Sequence, residues 1–324
     1  VEFAKFAAYI AWKFGDLVDM WSTFNEPLVM VELGYLFPEA GFPPGVRSVE
    51  AARDALVNVI VAHARAYDAI KRWDRRRVKG APEEVVKVGI IHNIIPVHPA
   101  SPSDEEAAAK LDYLHNRLIL DAVTKGGAPL SMKRGELLSV SHLSGKLDWI
   151  GVNYYTRAVA RASESAPSPF ENLGVYLAPG YGSLCSPNSE SRDGYPCSDF
   201  GWEIYPRGIA EALDIASSYG LPTMITENGV ADSRDVYRPM FVVRHLATLE
   251  SYLESGGRAM GYLHWALTDN YEWAKGFRMR FGLVEVDLAS KERRPRPSAF
   301  IYAKIASENT VPRSLREQYG ALDA

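Results

Sequence analysis

Leu17-Val18-Asp19-Met20-Trp21-Ser22-Thr23-Phe24-Asn25-Glu26-Pro27 is an apolar run that ends in an amide, a carboxylate and a proline. The run from Leu17 to Phe24 is short enough for a buried strand. The proline stops that strand one residue after the carboxylate. An Asn and a Glu at the lip of a buried strand, ahead of a loop, stand where α/β enzymes carry their chemistry. Taken alone, Thr23 to Pro27 fits a polar strand end meeting solvent at least as well.

Strands and helices alternate on either side of this stretch. Before it, Phe3, Phe6, Ala7, Ile10 and Phe14 follow helical spacing with no capping residue ahead of them, and Gly15 closes the pattern. After it, Pro27 to Arg47 reads as a loop, and Ser48 caps a helix whose apolar face includes Ala52, Leu56, Val59, Ile60, Tyr67 and Ile70. His63 lies on that face and reads as a packing histidine. Val86 to Ile94 is the next buried strand. Ser103 to Glu106 is a capping box opening a helix that ends at Gly126.

Leu147 to Tyr155 is a third strand, followed by an excursion of about 163–200 rich in Gly, Pro, Ser and Asn, of a length that is usually functional or mobile. A helix with Pro206 inside its start and Gly220 past its end follows. Pro222 to Glu227 is strand four and again ends in a carboxylate. Pro239 opens a helix closed by Gly256-Gly257, Met260 to Trp265 is strand five, and Ser298 to Ile305 is a last helix with a polar tail. No linker divides the chain, so residues 1–324 read as one domain.

This alternation implies an α/β fold of parallel strands with right-handed crossovers. Polar residues gather at several successive strand ends rather than at one switch point, which favours a barrel over a doubly wound sheet. No Gly-rich phosphate loop follows any strand, and neither a cofactor nor a metal is expected.

Composition narrows the classes. A chain of 324 residues that is 47% hydrophobic can bury a large core. A net charge of −4 gives no electrostatic case for nucleic acid. The basic run Lys71 to Arg77 reads as a solvated helix end. No apolar stretch approaches the roughly 18 residues of a membrane span. The two cysteines, Cys185 and Cys197, without a secretory signal, are expected as free thiols in a reducing cytoplasm.

Two carboxylates at strand ends, Glu26 and Glu227, are the minimal equipment for glycoside hydrolysis. At about 5–5.5 Å one is the nucleophile and the other the acid/base; at about 6.5–9.5 Å water attacks instead. Trp265, Trp273, Phe281 and Tyr155 offer flat faces on which sugars stack, with Asn25 and Glu272 as hydroxyl partners. Each of these aromatics also fits plain barrel packing.

The motifs Thr23–Pro27, Asp148–Tyr155, Phe200–Pro206, Ile225–Gly229, His264–Trp273 and Met279–Leu283 resemble, in order, those of the first glycoside hydrolase family, the β-glucosidases and β-galactosidases. The wording is most similar to the archaeal, heat-stable branch. The resemblance implies a TIM (β/α)8-type barrel and a retaining double displacement. It assigns Glu26 as acid/base and Glu227 as nucleophile, Asn25 as partner of the sugar 2-hydroxyl, and Tyr155 as the tyrosine bonded to the nucleophile. Trp265, Glu272 and Trp273 match the floor and polar clamp of the sugar subsite, Phe281 its aromatic wall, and Asn153 stands with the substrate-binding residues. That mechanism needs two carboxyl pKa values pushed apart.

Family members acting on 6-phosphates lack the acid at the position of Glu272, so unphosphorylated β-glucosides, β-galactosides or β-fucosides are the expected substrates. The five strands match the fourth to the eighth of the family, so an incomplete barrel is expected. The family's earlier Gln, His-Trp pair and Arg have no counterpart here. Exposed apolar edges would then favour homo-oligomers. The alternative is a remnant that folds, oligomerises and at most binds sugars weakly.

Overall fold

The computed structural model describes residues 1–79, 86–127, 143–163 and 173–320. In chain order the elements are α1 (Glu2–Phe14), β1 (Met20–Asn25), α2 (Pro27–Tyr35), α3 (Val49–Trp73), β2 (Lys87–Asn93), β3 (Val97–Pro99), α4 (Glu105–Asp112), α5 (Leu118–Lys125) and β4 (Trp149–Asn153). Then come β5 (Ala158–Ala162), β6 (Val175–Leu177), α6 (Gly208–Ser217), β7 (Thr223–Glu227), α7 (Arg238–Glu254), β8 (Val284–Val286), β9 (Arg293–Pro295), α8 (Pro297–Glu308) and α9 (Arg313–Tyr319). The chain divides into two compact units, one of Val1–Asn93, Tyr113–Val152 and Ser218–Met224, the other of Ile94–Asp112, Asn153–Ser217 and Ile225–Ala324. Among the described residues no helix is long and apolar enough to cross a membrane.

The main sheet has the strand order β1-β2-β4-β7. The first unit holds β1 and β2 whole, β4 through Val152 and β7 through Met224. β1 and β2 run parallel, with Trp21 opposite Val88, and the register shifts between Ser22 and Asn25. Ala7 and Ala11 of α1 pack with Ala66 and Ile70 of α3 over Val86 and Val88, because small residues let the two helices approach closely. Gly89 is required by its neighbour: a Cβ there would lie 2.4 Å from the Trp149 ring. His63 is a packing histidine, fully buried between the Thr23 hydroxyl and the Lys146 carbonyl. Ser48 caps α3 by accepting from the Ala51 amide at 3.1 Å.

In the second unit β3 pairs parallel to β5, and β6 runs antiparallel to β5. Ala107 and Ala108 of α4 pack on Ala160 and Val175 of that sheet. Ile225 bridges in parallel to Tyr262, and Thr268 to Val284. Arg157 holds the buried Glu203 with two hydrogen bonds of 2.9 Å, and lies 4.4 Å from the Tyr205 ring centre.

Several local expectations are corrected. Pro27–Tyr35 is helix, not loop, because a proline suits the first helical turn, whose amides lack partners anyway. The Ser103–Glu106 capping box gives way to a tight turn at Pro102–Asp104, where the Ser101 hydroxyl donates to Asp104 and Asp104 accepts the Ala162 amide. Met260 to Trp265 forms one parallel bridge, at Tyr262 to Ile225, and a further backbone bond from Trp265 to Asn228, rather than a continuous strand. The polar tail contains α9.

The two cysteines are not free thiols. Cys185 and Cys197 form a disulfide with Cα atoms 6.2 Å apart, within the usual range for such bridges. Backbone bonds from Asn188 to Ser198 and from Cys197 to Ser189 fold the intervening loop back on itself. Residues 164–172 of the expected excursion lie outside the described residues.

His63, His92 and His245 are fully buried, and burial pushes their pKa values down to about 4, 3 and 3. Each is neutral when folded and takes up a proton on unfolding below the ordinary value of about 6.5. Stability is therefore expected to fall as pH drops from about 6.5 toward 4, each histidine adding up to about 1.4 kcal/mol per pH unit. Urea unfolding across that range checks this, and His245→Gln should flatten the slope.

Candidate active site

Glu26 is delivered by the end of β1. The strand loses register before Asn25, and Glu26 turns into the left-handed region at φ 49° and ψ 54°. Its amide still donates to the Ile91 carbonyl at 2.9 Å, so the corner stays hydrogen-bonded to β2. A carboxylate side chain in that conformation is strained by about 1–2 kcal/mol. Pro27 follows as the first residue of α2. Asn25 closes β1, and both residues belong to the first unit.

Glu227, Asn153, Tyr155, Trp265, Glu272, Trp273 and Phe281 all belong to the second unit. Glu227 is the last residue of β7, and its carbonyl accepts the Tyr154 amide at 2.9 Å. The Tyr155 hydroxyl donates to the Glu227 carboxylate at 2.7 Å. Asn153 is buried, and its side-chain oxygen accepts from the Thr226 hydroxyl at 2.7 Å. Asn228 is also buried and tied on several sides: it donates to the Tyr154 carbonyl, accepts from the Tyr262 hydroxyl, and takes the Trp265 amide on its own carbonyl.

Gly229 packs directly on the Trp265 carbonyl, where a Cβ would lie 1.7 Å away, so no other residue fits. Trp265 is thereby fixed in place beside the strand that carries Glu227. Glu272 is half-buried; burial raises its pKa, and a 2.8 Å hydrogen bond from Asn270 works against that rise. Trp273 is 64% exposed, whereas Phe281 is only 1% exposed. Tyr155 meets Phe281 edge-on at 6.1 Å.

Trp202 was not singled out by sequence reasoning. It lies 5.4 Å from the Tyr155 ring and 6.1 Å from Phe281, and stacks on Phe200 at 4.2 Å. The signal for it was present in the aromatic Phe200–Pro206 motif, but period and spacing do not say which aromatic turns inward. Among the described residues no group of three or more His, Cys, Asp or Glu side chains could hold a metal ion.

The buried Asp269 ties together the segment carrying Trp265, Glu272 and Phe281, pairing with Arg296 and, at 3.3 Å, with Arg280. Asp269 accepts two 3.0 Å bonds from Arg296, another from the Gly282 amide and a longer one from the Val286 amide. Burial alone would raise the Asp269 pKa; Arg296 and the amides hold it below the usual carboxylate range. Removing one partner of such a pair leaves a buried charge uncompensated. Asp269→Asn is expected to cost about 3–5 kcal/mol by urea unfolding, whereas substitutions of exposed carboxylates such as Glu292 should cost little.

The comparisons with known proteins agree with the motif order. The family model for glycosyl hydrolase family 1 matches residues 1–311. A β-galactosidase of Pyrococcus woesei is 46% identical over 98% of this chain and 63% of its own length, and one of Saccharolobus solfataricus is 44% identical over 96% and 59%. The solved β-glycosidase of Thermosphaera aggregans superposes with a TM-score of 0.86 at 43% identity, over 98% of this chain and 62% of its own. The chain thus spans about three fifths of the length of these relatives. With an ordered motif set and a family match over 1–311, this chain belongs to glycosyl hydrolase family 1.

Proposed function

We propose that this chain is a retaining β-glycosidase acting on terminal, non-reducing, unphosphorylated β-D-glucosides, β-D-galactosides or β-D-fucosides. The observation that carries the reading is the 2.7 Å hydrogen bond from Tyr155 to Glu227 at the end of β7. A carboxylate that must stay ionised to attack needs such a donor. In this reading residues 1–324 form one catalytic domain of the (β/α)8 type, with strands corresponding to the fourth to eighth of the barrel.

Glu227 attacks the anomeric carbon while Glu26 gives its proton to the leaving oxygen, and a glycosyl ester forms on Glu227. Glu26, now a carboxylate, takes a proton from water, which attacks the same carbon and releases the sugar with its configuration retained. Asn25 and Asn153 serve the sugar hydroxyls, and Trp265, Trp273 and Phe281 supply apolar faces. Glu272 takes sugar hydroxyls and repels a 6-phosphate. Assembly into a homo-oligomer belongs to the same proposal, supported by Phe6, Tyr9 and Trp12 of α1, which are more than half exposed.

The assay is hydrolysis of a p-nitrophenyl β-glycoside. Glu227→Ala is expected to abolish it, and azide to restore it in part by forming the α-glycosyl azide. Glu26→Ala should slow it by about 10²–10⁴-fold and yield the β-glycosyl azide instead. The parent glycoside should be turned over better than its 6-phosphate. Absence of hydrolysis by the unsubstituted chain would instead favour a protein that folds and at most binds sugars weakly.

A further inference from the structure

Between α4 and α5 the helix opens into one wide turn, Tyr113–Arg117. Such turns free a carbonyl from the helical ladder and are frequent at functional sites. Here the His115 carbonyl accepts from Nε2 of His92 at 2.9 Å. The His115 ring itself is buried, with Nδ1 lying 3.0 and 3.2 Å from the two carboxylate oxygens of Glu32. Glu32 belongs to α2, whose first residue follows Glu26. His92 follows Ile91, whose carbonyl takes the Glu26 amide. His115 is therefore bonded to both backbone segments that fix Glu26: to α2 through its ring, and to β2 through its carbonyl. All of these residues lie in the first unit.

We propose that His115, held as an imidazolium by Glu32, is a positioning residue for Glu26, supplying a buried positive charge that favours the carboxylate form in which Glu26 acts as a base. This rests on the acid/base reading of Glu26. The groups facing the ring are Glu32 from α2, Glu26 from the corner between β1 and α2, and His92 from β2. His92 cannot share the proton. Its Nε2 hydrogen is committed to the His115 carbonyl, and burial pushes its pKa down to about 3. Burial alone would lower the His115 pKa too; the Glu32 carboxylate, the backbone at Asn93 and the field of Glu26 outweigh it and leave the value above that of a free imidazole. Glu32 fixes where the charge sits, and the attraction between His115 and Glu26 acts in both directions.

The direct measurement is the titration of the His115 ring C–H resonance in the full chain by NMR, which needs no turnover. Glu32→Gln is expected to lower the His115 midpoint by about one pH unit or more. Glu26→Gln, nearly isosteric, should lower it by about half a unit. By reciprocity, His115→Gln should move the basic limb of the kcat/KM profile to higher pH, where a merely structural role would only lower the amount of folded protein. A His115 midpoint left in place by Glu26→Gln overturns the proposal even if His115→Gln fails to fold. Wild-type hydrolysis by Glu26→Gln overturns something different, the acid/base reading, and the NMR coupling would survive it.

Discussion

Hydrogen bonding between neighbouring parallel segments reaches the candidate carboxylates themselves. The Glu26 amide donates to Ile91, and the Glu227 carbonyl accepts from Tyr154, each at 2.9 Å. A residue whose backbone is pinned by the ladder while its side chain projects past it has little freedom, and acid/base or nucleophilic work needs that restriction. Both candidate carboxylates are thus positioned by the same interaction that holds the strands together. Shifting either strand by one residue would move the carboxylate to the opposite face.

Beyond the strand ends, positioning passes to buried polar groups. Asp269 and Arg296 gather residues 266–286, and Arg157 with Glu203 gathers the segment that leads to Trp202. Apolar packing could bury the same surface at lower electrostatic risk, but it is non-directional. A bidentate guanidinium–carboxylate pair fixes angles as well as distances. These pairs sit outside the main sheet, beside single bridges such as Thr268 to Val284 and Cys197 to Glu203. The Asn228 bonds and the Gly229 contact with Trp265 fill the same role next to β7.

Much of this was legible in the sequence, because strand ends and helix caps are written in neighbouring residues. Met20–Asn25, Lys87–Asn93 and Thr223–Glu227 follow from short apolar runs, and the Ser48 cap and the packing of His63 from local spacing. The failures have two causes, local ambiguity and tertiary contact. Pro27 can end a strand and open a helix at once, and the strand-ending reading hid α2. The Cys185–Cys197 bond depends on how a loop folds back, which the eleven intervening positions do not encode in any period. Which aromatic faces inward, as Trp202 does, and that His115 meets Glu32 across 83 positions, are tertiary facts. The motif order carried the family; it carried no distances.

The left-handed corner at Glu26 sets backbone strain against the proposed chemistry at a single residue. A positive φ suits Gly or Asn, so Glu26→Gly or Glu26→Asn relieves roughly 1 kcal/mol of backbone strain. Both also delete the carboxyl group. Backbone comfort alone would therefore favour, at position 26, residues that carry no carboxyl group.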